Sequence, residues 1–316
     1  MRCAAPPPRV SLERMAWTVT YDLEEFRAAA GGFLGARPAR HTTLLTVVSS
    51  LAAVGSGRYG DQPPYFGWWT GEGPPVGAGA GLVRGAFLCT PPYPPLLSPL
   101  SGEAARALAR TLARDGEWPV TGVHAGRETA ETFAAAWQRL TGTVSSVEET
   151  NRLYRLGALT SPDPAPPGRP RTATAADRDL LISWCEGFAR DTGALRGDTA
   201  AHVDDKLGYG GITLWELDGR PVSCAGVSRT VADMARVALV YTPPELRGRG
   251  YAGAATAAVS RAARDAGVKE LLLFTDLANP TSNALYQRLG YRPVEDHLLL
   301  SFAPAAHAVP EQGHPS

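Results

Sequence analysis

Hydrophobic positions along residues 173–303 change period several times, and each change marks an element. In "ATAADRDLLISWCEGFARDTG" (173–193), Leu180, Leu181, Trp184 and Phe188 recur at helical spacing, and Gly193 suits a helix end. "GGITLWELDGRPVSCAGVSRT" (210–230) alternates around an Asp-Gly pair, which predicts a hairpin. "ARVALVYT" (235–242) reads as a strand, and the alanine-rich 252–267 as a helix stopped by Gly267. "KELLLFTDL" (269–277) is almost wholly apolar, as a strand covered on both faces should be. A short helix ending at Gly290 and a last strand over 295–302 complete the order.

The preceding segment carries a similar succession. Helices are predicted over 22–33, 102–116 and 129–142, a turn-interrupted strand set over 64–90, and strands over 118–125 and 150–159. Three local matches suggest a repeat: 68–81 against 214–227, 86–93 against 238–245, and 136–142 against 285–290. Their offsets are 146, 152 and 149 residues, so one duplication with small loop changes accounts for all three. Between the copies lies "TSPDPAPPGRPRT" (160–172), whose proline density predicts a semi-rigid spacer. The expected organisation is therefore a flexible tail (1–16), a first domain (17–159), a linker (160–172), a second domain (173–303) and a second tail (304–316).

Composition narrows the classes of function. The 316 residues carry formal net charge zero, which gives no bulk attraction to nucleic acid or to a membrane surface. Cys3, Cys89, Cys185 and Cys224 are scattered, without metal-ligand spacing, as fits a reducing compartment and no bound metal. With no signal-peptide core and no apolar run of membrane-spanning length, the expected location is the cytoplasm.

The chemistry concentrates in "VALVYTPPELRGRGYAGAATAAVSRAA" (237–263), a strand, a glycine-rich turn and a long helix. Backbone N–H groups of such a turn, with the helix N-terminus, form an anion site suited to phosphate or pyrophosphate. Gly248 and Gly250 permit close backbone approach, and Arg247 and Arg249 can add charge-assisted bonds. Gly248, Gly250 and Gly253 also spell G-x-G-x-x-G, with Asp276 downstream, the dinucleotide-binding pattern. Against that stand Pro243 and Pro244 between strand and glycines, the late position of the motif, and the antiparallel hairpin before it.

"RGRGYA" (247–252) resembles the Q/R-x-x-G-x-G/A signature of the GCN5-related N-acetyltransferase (GNAT) superfamily. "TDLANPTSNALYQRLGYRPV" (275–294) resembles that family's second hallmark, Asn-x-x-x-Asn-x-x-Tyr-x-x-x-Gly-Tyr. The resemblance covers roughly 173–303, and reaches the first half only through the repeat. It implies an α/β (α+β) fold of two tandem GNAT-like domains, each a mixed, mostly antiparallel sheet flanked by helices. It further implies acetyl-coenzyme A as co-substrate, with no metal. Backbone groups of Leu239, Val240 and Thr242 would pair with the pantetheine arm, and residues 247–252, including Tyr251 and Ala252, would hold the pyrophosphate. Asn279 and Asn283 would bind coenzyme or brace the site, and both also read as helix-capping residues. Tyr286 would protonate the departing thiolate, although its spacing with Leu285 and Leu289 equally suits packing. The base that relieves the amine of its proton is not named by the sequence; Glu186, Glu216 and Asp233 are the candidates.

In the first copy "TPPYPPLLSPL" (90–100) stands against "TPPELRGRGYA", and Trp137 stands against Tyr286. Glycines, arginines and acid are missing together, so that copy is expected to act as scaffold or acceptor-pocket wall. The reading is an acyltransferase, monomeric or homodimeric, acting on a small-molecule amine. Alternatives are transfer to a protein amine or hydroxyl, and a non-catalytic acyl-coenzyme A sensor.

Overall fold

The structure, a computed structural model, describes residues 16–57, 59–71, 82–115, 118–193 and 198–305. Most of both expected tails, and residues 72–81 of the 68–81 match, lie outside the described residues. The first half runs β1 (Ala16–Thr20), α1 (Leu23–Gly35), α2 (Thr42–Val54), β2 (Tyr65–Gly71), β3 (Leu82–Cys89), β4 (Leu96–Leu97), α3 (Gly102–Asp115), β5 (Gly122–Gly126), α4 (Arg127–Thr141) and β6 (Thr143–Leu156). The second runs β7 (Arg169–Thr172), α5 (Arg178–Thr192), α6 (Thr199–Gly208), β8 (Ile212–Leu217), β9 (Arg220–Val227), β10 (Met234–Tyr241), α7 (Tyr251–Asp265), β11 (Glu270–Asp276), α8 (Pro280–Arg288) and β12 (Tyr291–Pro304).

Local chemistry accounts for the boundaries. The Asp22 carboxylate accepts the Glu24 and Glu25 amides and starts α1. Gly142 and Gly193 end α4 and α5 in the left-handed conformation, where a side chain would be strained. Asp218 and Gly219 both have positive φ, 48° and 76°, as a two-residue hairpin turn between β8 and β9 requires. Two helices, α2 and α6, had no counterpart in the pattern reading. Part of the expected spacer is a strand: Arg169–Thr172 pairs antiparallel with β8.

All twelve strands join one sheet, in the order β1-β2-β3-β4-β5-β12-β6-β11-β10-β9-β8-β7. Pairing is antiparallel except for β4 with β5 and β10 with β11. The halves are interleaved at the centre. Strand β6 from the first half lies between β12 and β11, while β12 from the second half lies between β5 and β6. The two 14-residue strands pair along their whole length, from Tyr291↔Leu156 to Pro304↔Thr143. Each strand carries one bulge, at Glu148 and at Val294.

Strand order corrects one register of the repeat. Counting outward from the central pair, β3 occupies the place of β9, and β4 that of β10. Residues 86–89 therefore belong to β3 and do not correspond to 238–241. The first-half equivalent of β10 is the two-residue strand Leu96–Leu97, inside "TPPYPPLLSPL" itself. The shared Thr-Pro-Pro reflects a common way of leaving a strand, since proline ends strand pairing wherever it falls.

Helices cover both faces. Helices α7 and α8 pack on one side through Tyr251, Ala255, Val259, Tyr286 and Leu289, against Val237, Leu271 and Leu273 of the sheet. Helices α3 and α4 pack on that same side against Leu298 and Leu300 of β12. The opposite side carries α1 and α2 over Met234, Leu272 and Leu153, and α5 and α6 over Leu214, Cys224 and Leu239. Among the described residues no helix is long and apolar enough to cross a membrane.

Candidate active site

Strands β10 and β11 diverge. Their parallel pairing runs only from Met234↔Glu270 to Val237↔Leu273, after which 274–276 pair with β6 alone. On its other edge β10 pairs with β9 as far as Ala238↔Gly226 and resumes at Tyr241↔Cys224. The intervening bulge holds Leu239 at a φ of 57°, a conformation that L residues rarely adopt. A wedge-shaped cleft therefore opens at the C-terminal ends of two parallel strands. The free edge of β10 there is shaped to take an extended ligand as an added strand.

At the mouth of the cleft the chain makes a short 3-10 turn (Pro244–Leu246) and then the glycine turn. Gly248 and Gly250 have φ of 75° and 83°, and Gly250 is the N-cap of α7. Residues 247–250 are exposed, whereas Tyr251 is buried beneath them. The first N–H groups of α7 have no preceding turn to bond and lie at the positive end of the helix, with Pro166 close to Gly250 and Pro162 close to Gly253. Arg247 plays a different part from the expected one. Its guanidinium bonds Asp191 on α5 and the Thr242 carbonyl (3.0 Å), so it fastens the turn and occupies that carbonyl. Arg249 reaches the Glu245 carbonyl at 3.2 Å from an exposed position.

Helix α8 is braced by both asparagines. Asn279 Oδ1 accepts the Ser282 amide, a helix cap, and Asn283 Nδ2 donates to the Asp276 and Asn279 carbonyls. Asn283 Oδ1 accepts from the Tyr154 hydroxyl at 2.8 Å, and Gln287 donates to the same hydroxyl at 3.1 Å. Tyr154 stands on β6, so the first half pins the helix that carries Tyr286. No feature of the local pattern singled out Tyr154, because its role depends on the strand exchange.

The ring of Tyr286 is 8% exposed and packs edge-on against Tyr291 at 6.0 Å. Its hydroxyl bonds no group among the described residues, yet is not fully enclosed. Burial pushes the phenol up to about 12, which keeps it protonated and able to donate. Val240, Tyr251 and Tyr286 meet in one cluster.

Two of the three base candidates are engaged elsewhere. Glu216, on β8 with β9 between it and β10, bonds Arg171 (2.5 Å) and Arg169 (3.4 Å) of β7; Arg171 above all holds its carboxyl below the usual range. Asp233 precedes β10 at the end away from the cleft and pairs with Lys269 at 2.8 Å. Glu216 is thereby stabilised as an anion and is a poor proton acceptor. Glu186 is exposed on α5 without an ion pair, next to Gly187, which packs on the Tyr241 hydroxyl.

The matching place in the first half is filled by protein. The Leu100 amide donates to Thr129 Oγ1 at 3.1 Å, and the Ala104 amide to Ser101 Oγ at 3.2 Å. Ser98 Oγ accepts the Ala86 amide, and Pro99 has no amide to offer. Trp137 is enclosed between Phe133 and Phe302, its Nε1 unpartnered.

Residues 179–291 match the acetyltransferase (GNAT) family model. No curated protein matches the chain. Among solved structures, a Drosophila protein is similar over 92% of this chain and 99% of its own, at 12% identity and a TM-score of 0.63. A GCN5-related N-acetyltransferase from Sphaerobacter thermophilus matches over 90% and 94%, at 16% identity and a TM-score of 0.58. An acetyltransferase from the GNAT family of Colwellia psychrerythraea matches over 81% and 96%, at 11% identity and a TM-score of 0.51. These likenesses concern the fold, and they span both halves of the chain. The family match falls on the half that holds the cleft and the glycine turn, so residues 179–291 form a GNAT acetyltransferase domain.

Proposed function

We propose that the second half transfers an acetyl group from acetyl-coenzyme A to the amine of a small molecule. The observation that carries this reading is the cleft between β10 and β11, opening toward the exposed glycine turn 248–250 at the N-terminus of α7. The thioester supplies an activated carbonyl with a good leaving group. The free edge of β10 around Leu239 and Val240 aligns the pantetheine arm, and the turn amides take the pyrophosphate. A backbone amide near Val240 polarises the carbonyl. The amine nitrogen forms a bond to the carbonyl carbon, the carbon–sulfur bond breaks, and Tyr286 gives its proton to the sulfur. The amine's proton leaves to Glu186 or to water. Holding both reactants in one complex supplies much of the acceleration.

The 17–159 half serves as scaffold and pocket wall, since its own helix N-terminus is capped by Ser101 and Thr129. Tyr286 favours an enzyme over a sensor, because binding alone needs only the cradle. Thiol release from acetyl-coenzyme A across an amine panel tests the activity, and calorimetry is expected to find one coenzyme A per chain. A stoichiometry of two would overturn the assignment of the first half.

A further inference from the structure

A cavity of about 200 Å³ lies on the face of the sheet opposite α7. Its walls are α2 from the first half, and α6, the segment after β9 and strand β10 from the second. It reaches Ala238, which is exposed although it stands on an interior strand of the sheet, one residue before the bulge. The cavity and the glycine turn therefore lie on opposite faces, with the cleft between them. Its size is below the 300–1,000 Å³ usual for larger ligands, which suits a small acceptor.

The lining is cationic. Arg236 comes from β10, Lys206 from α6, and Arg229 from the segment after β9. The carboxylate in the lining, Asp205, already accepts from Arg229 at 2.7 Å. Arg236 pairs with no carboxylate among the described residues. Its Nη1 donates to Thr43 Oγ1 at 3.3 Å, and its guanidinium lies 5.8 Å from the Phe274 ring. Burial lowers it to about 10, so it stays charged at neutral pH. A desolvated guanidinium with most of its five N–H donors unused is costly to keep, and an anion placed against it recovers that cost. Thr43 belongs to the first half, which gives that half a part in shaping the cavity.

We propose that this cavity receives the acceptor, and that the acceptor carries an anionic group, a carboxylate or a phosphate, held by Arg236. The proposal rests on the acyl-transfer reading and names its substrate class.

The test uses the full chain with acetyl-coenzyme A and matched amines. Glycine, β-alanine, 4-aminobutyrate and 6-aminohexanoate are compared with methylamine, ethylamine, propylamine and pentylamine, and 2-aminoethyl phosphate supplies the phosphate arm. Anionic amines are expected to exceed their neutral partners in kcat/KM by roughly 10- to 1,000-fold, as for a buried charge pair. Arg236→Gln is expected to collapse that ratio toward one, and Arg236→Lys to restore part of it, while coenzyme A affinity by calorimetry reports that both variants remain folded. Equal turnover of neutral amines, or a ratio that survives in Arg236→Gln, overturns the proposal. If no amine releases thiol and acetyl-coenzyme A does not bind, the acyl-transfer reading fails, and anion recognition is then read from thermal melts. Stabilisation of the native chain but not of Arg236→Gln by the same carboxylates or phosphate upholds it; no difference overturns it.

Discussion

The exchange of β6 and β12 makes a quantitative prediction about where the chain can be cut. A fragment of residues 160–305 contains every element from β7 to β12 but lacks β6, which fills the gap between β11 and β12. Without β6 it loses Leu153 and Tyr154, both fully buried, and Leu156, nearly so. At about 1.5–3 kcal/mol for each large side chain, the three amount to roughly 5–9 kcal/mol. The register from Leu272↔Arg155 to Asp276↔Asn151 is lost as well, leaving the inner edge of β11 bare. That loss is comparable to the whole stability of a typical domain, about 5–15 kcal/mol. The fragment should therefore show no cooperative melt by circular dichroism, and should elute as aggregate or exchanged oligomer. Fragment 143–305, only 17 residues longer at its start, restores β6 and should unfold cooperatively. It should still melt below the intact chain, because Leu298 and Leu300 lose their cover from α3 and α4. If the 160–305 fragment were monomeric and melted with the 143–305 fragment, the exchanged strand would be dispensable and the reasoning wrong.

Tyr286→Phe should lower kcat by about 10²-fold or more with little change in KM for acetyl-coenzyme A. Since the hydroxyl bonds no group among the described residues, the melting temperature should hold; a matched fall in both would point to packing instead. Gly290→Ala should destabilise by several kcal/mol in urea titration, because φ is 97° and a Cβ there would collide with the Ala158 carbonyl oxygen. His124 is enclosed with its Nε2 unpartnered, and burial lowers it to about 3. A depressed histidine leaves full stability above its unfolded value near 6.5; stability then declines as pH falls toward 3, by up to ~1.4 kcal/mol per pH unit. Urea midpoints at pH 7.5 and 5.5 should show this decline, and His124→Leu should flatten it. Asn283→Ala should free Tyr154 from its 2.8 Å bond and reduce kcat/KM by loosening α8, whereas Asn283→Asp, which keeps the acceptor oxygen, should retain more activity.

Much of the second half was legible because its signals are local. An Asp-Gly turn, a terminal Gly193 and a nearly all-apolar 269–277 each point to one backbone geometry, and all three formed. The glycine turn was equally readable, since only a left-handed backbone at Gly248 and Gly250 places those amides together. What escaped was non-local. Periodicity can announce that 150–156 and 295–302 are strands, but not that they lie side by side in the centre of one sheet. Helix α2 was hidden by its Thr, Val and Ser content, which lowers helix propensity and is outweighed here by burial of Leu44, Leu45 and Leu51. The register of 86–93 failed because β4 had shrunk to two residues, too short to leave a pattern. Arg236 looked like any polar residue in a strand until α2 closed over it.

Fusion of two sheets through β6 and β12 also changes how the protein can meet its own copies. Two separate open sheets would present four bare borders to solvent, each able to template association with a neighbour. Here, among the described residues, only β1 and β7 remain as borders, five and four residues long. The second is guarded further: Pro170 has no N–H to offer, and Arg169 and Arg171 place charge along the rim. A chain with so long a sheet is thereby left with little rim on which strand-by-strand stacking between molecules could begin.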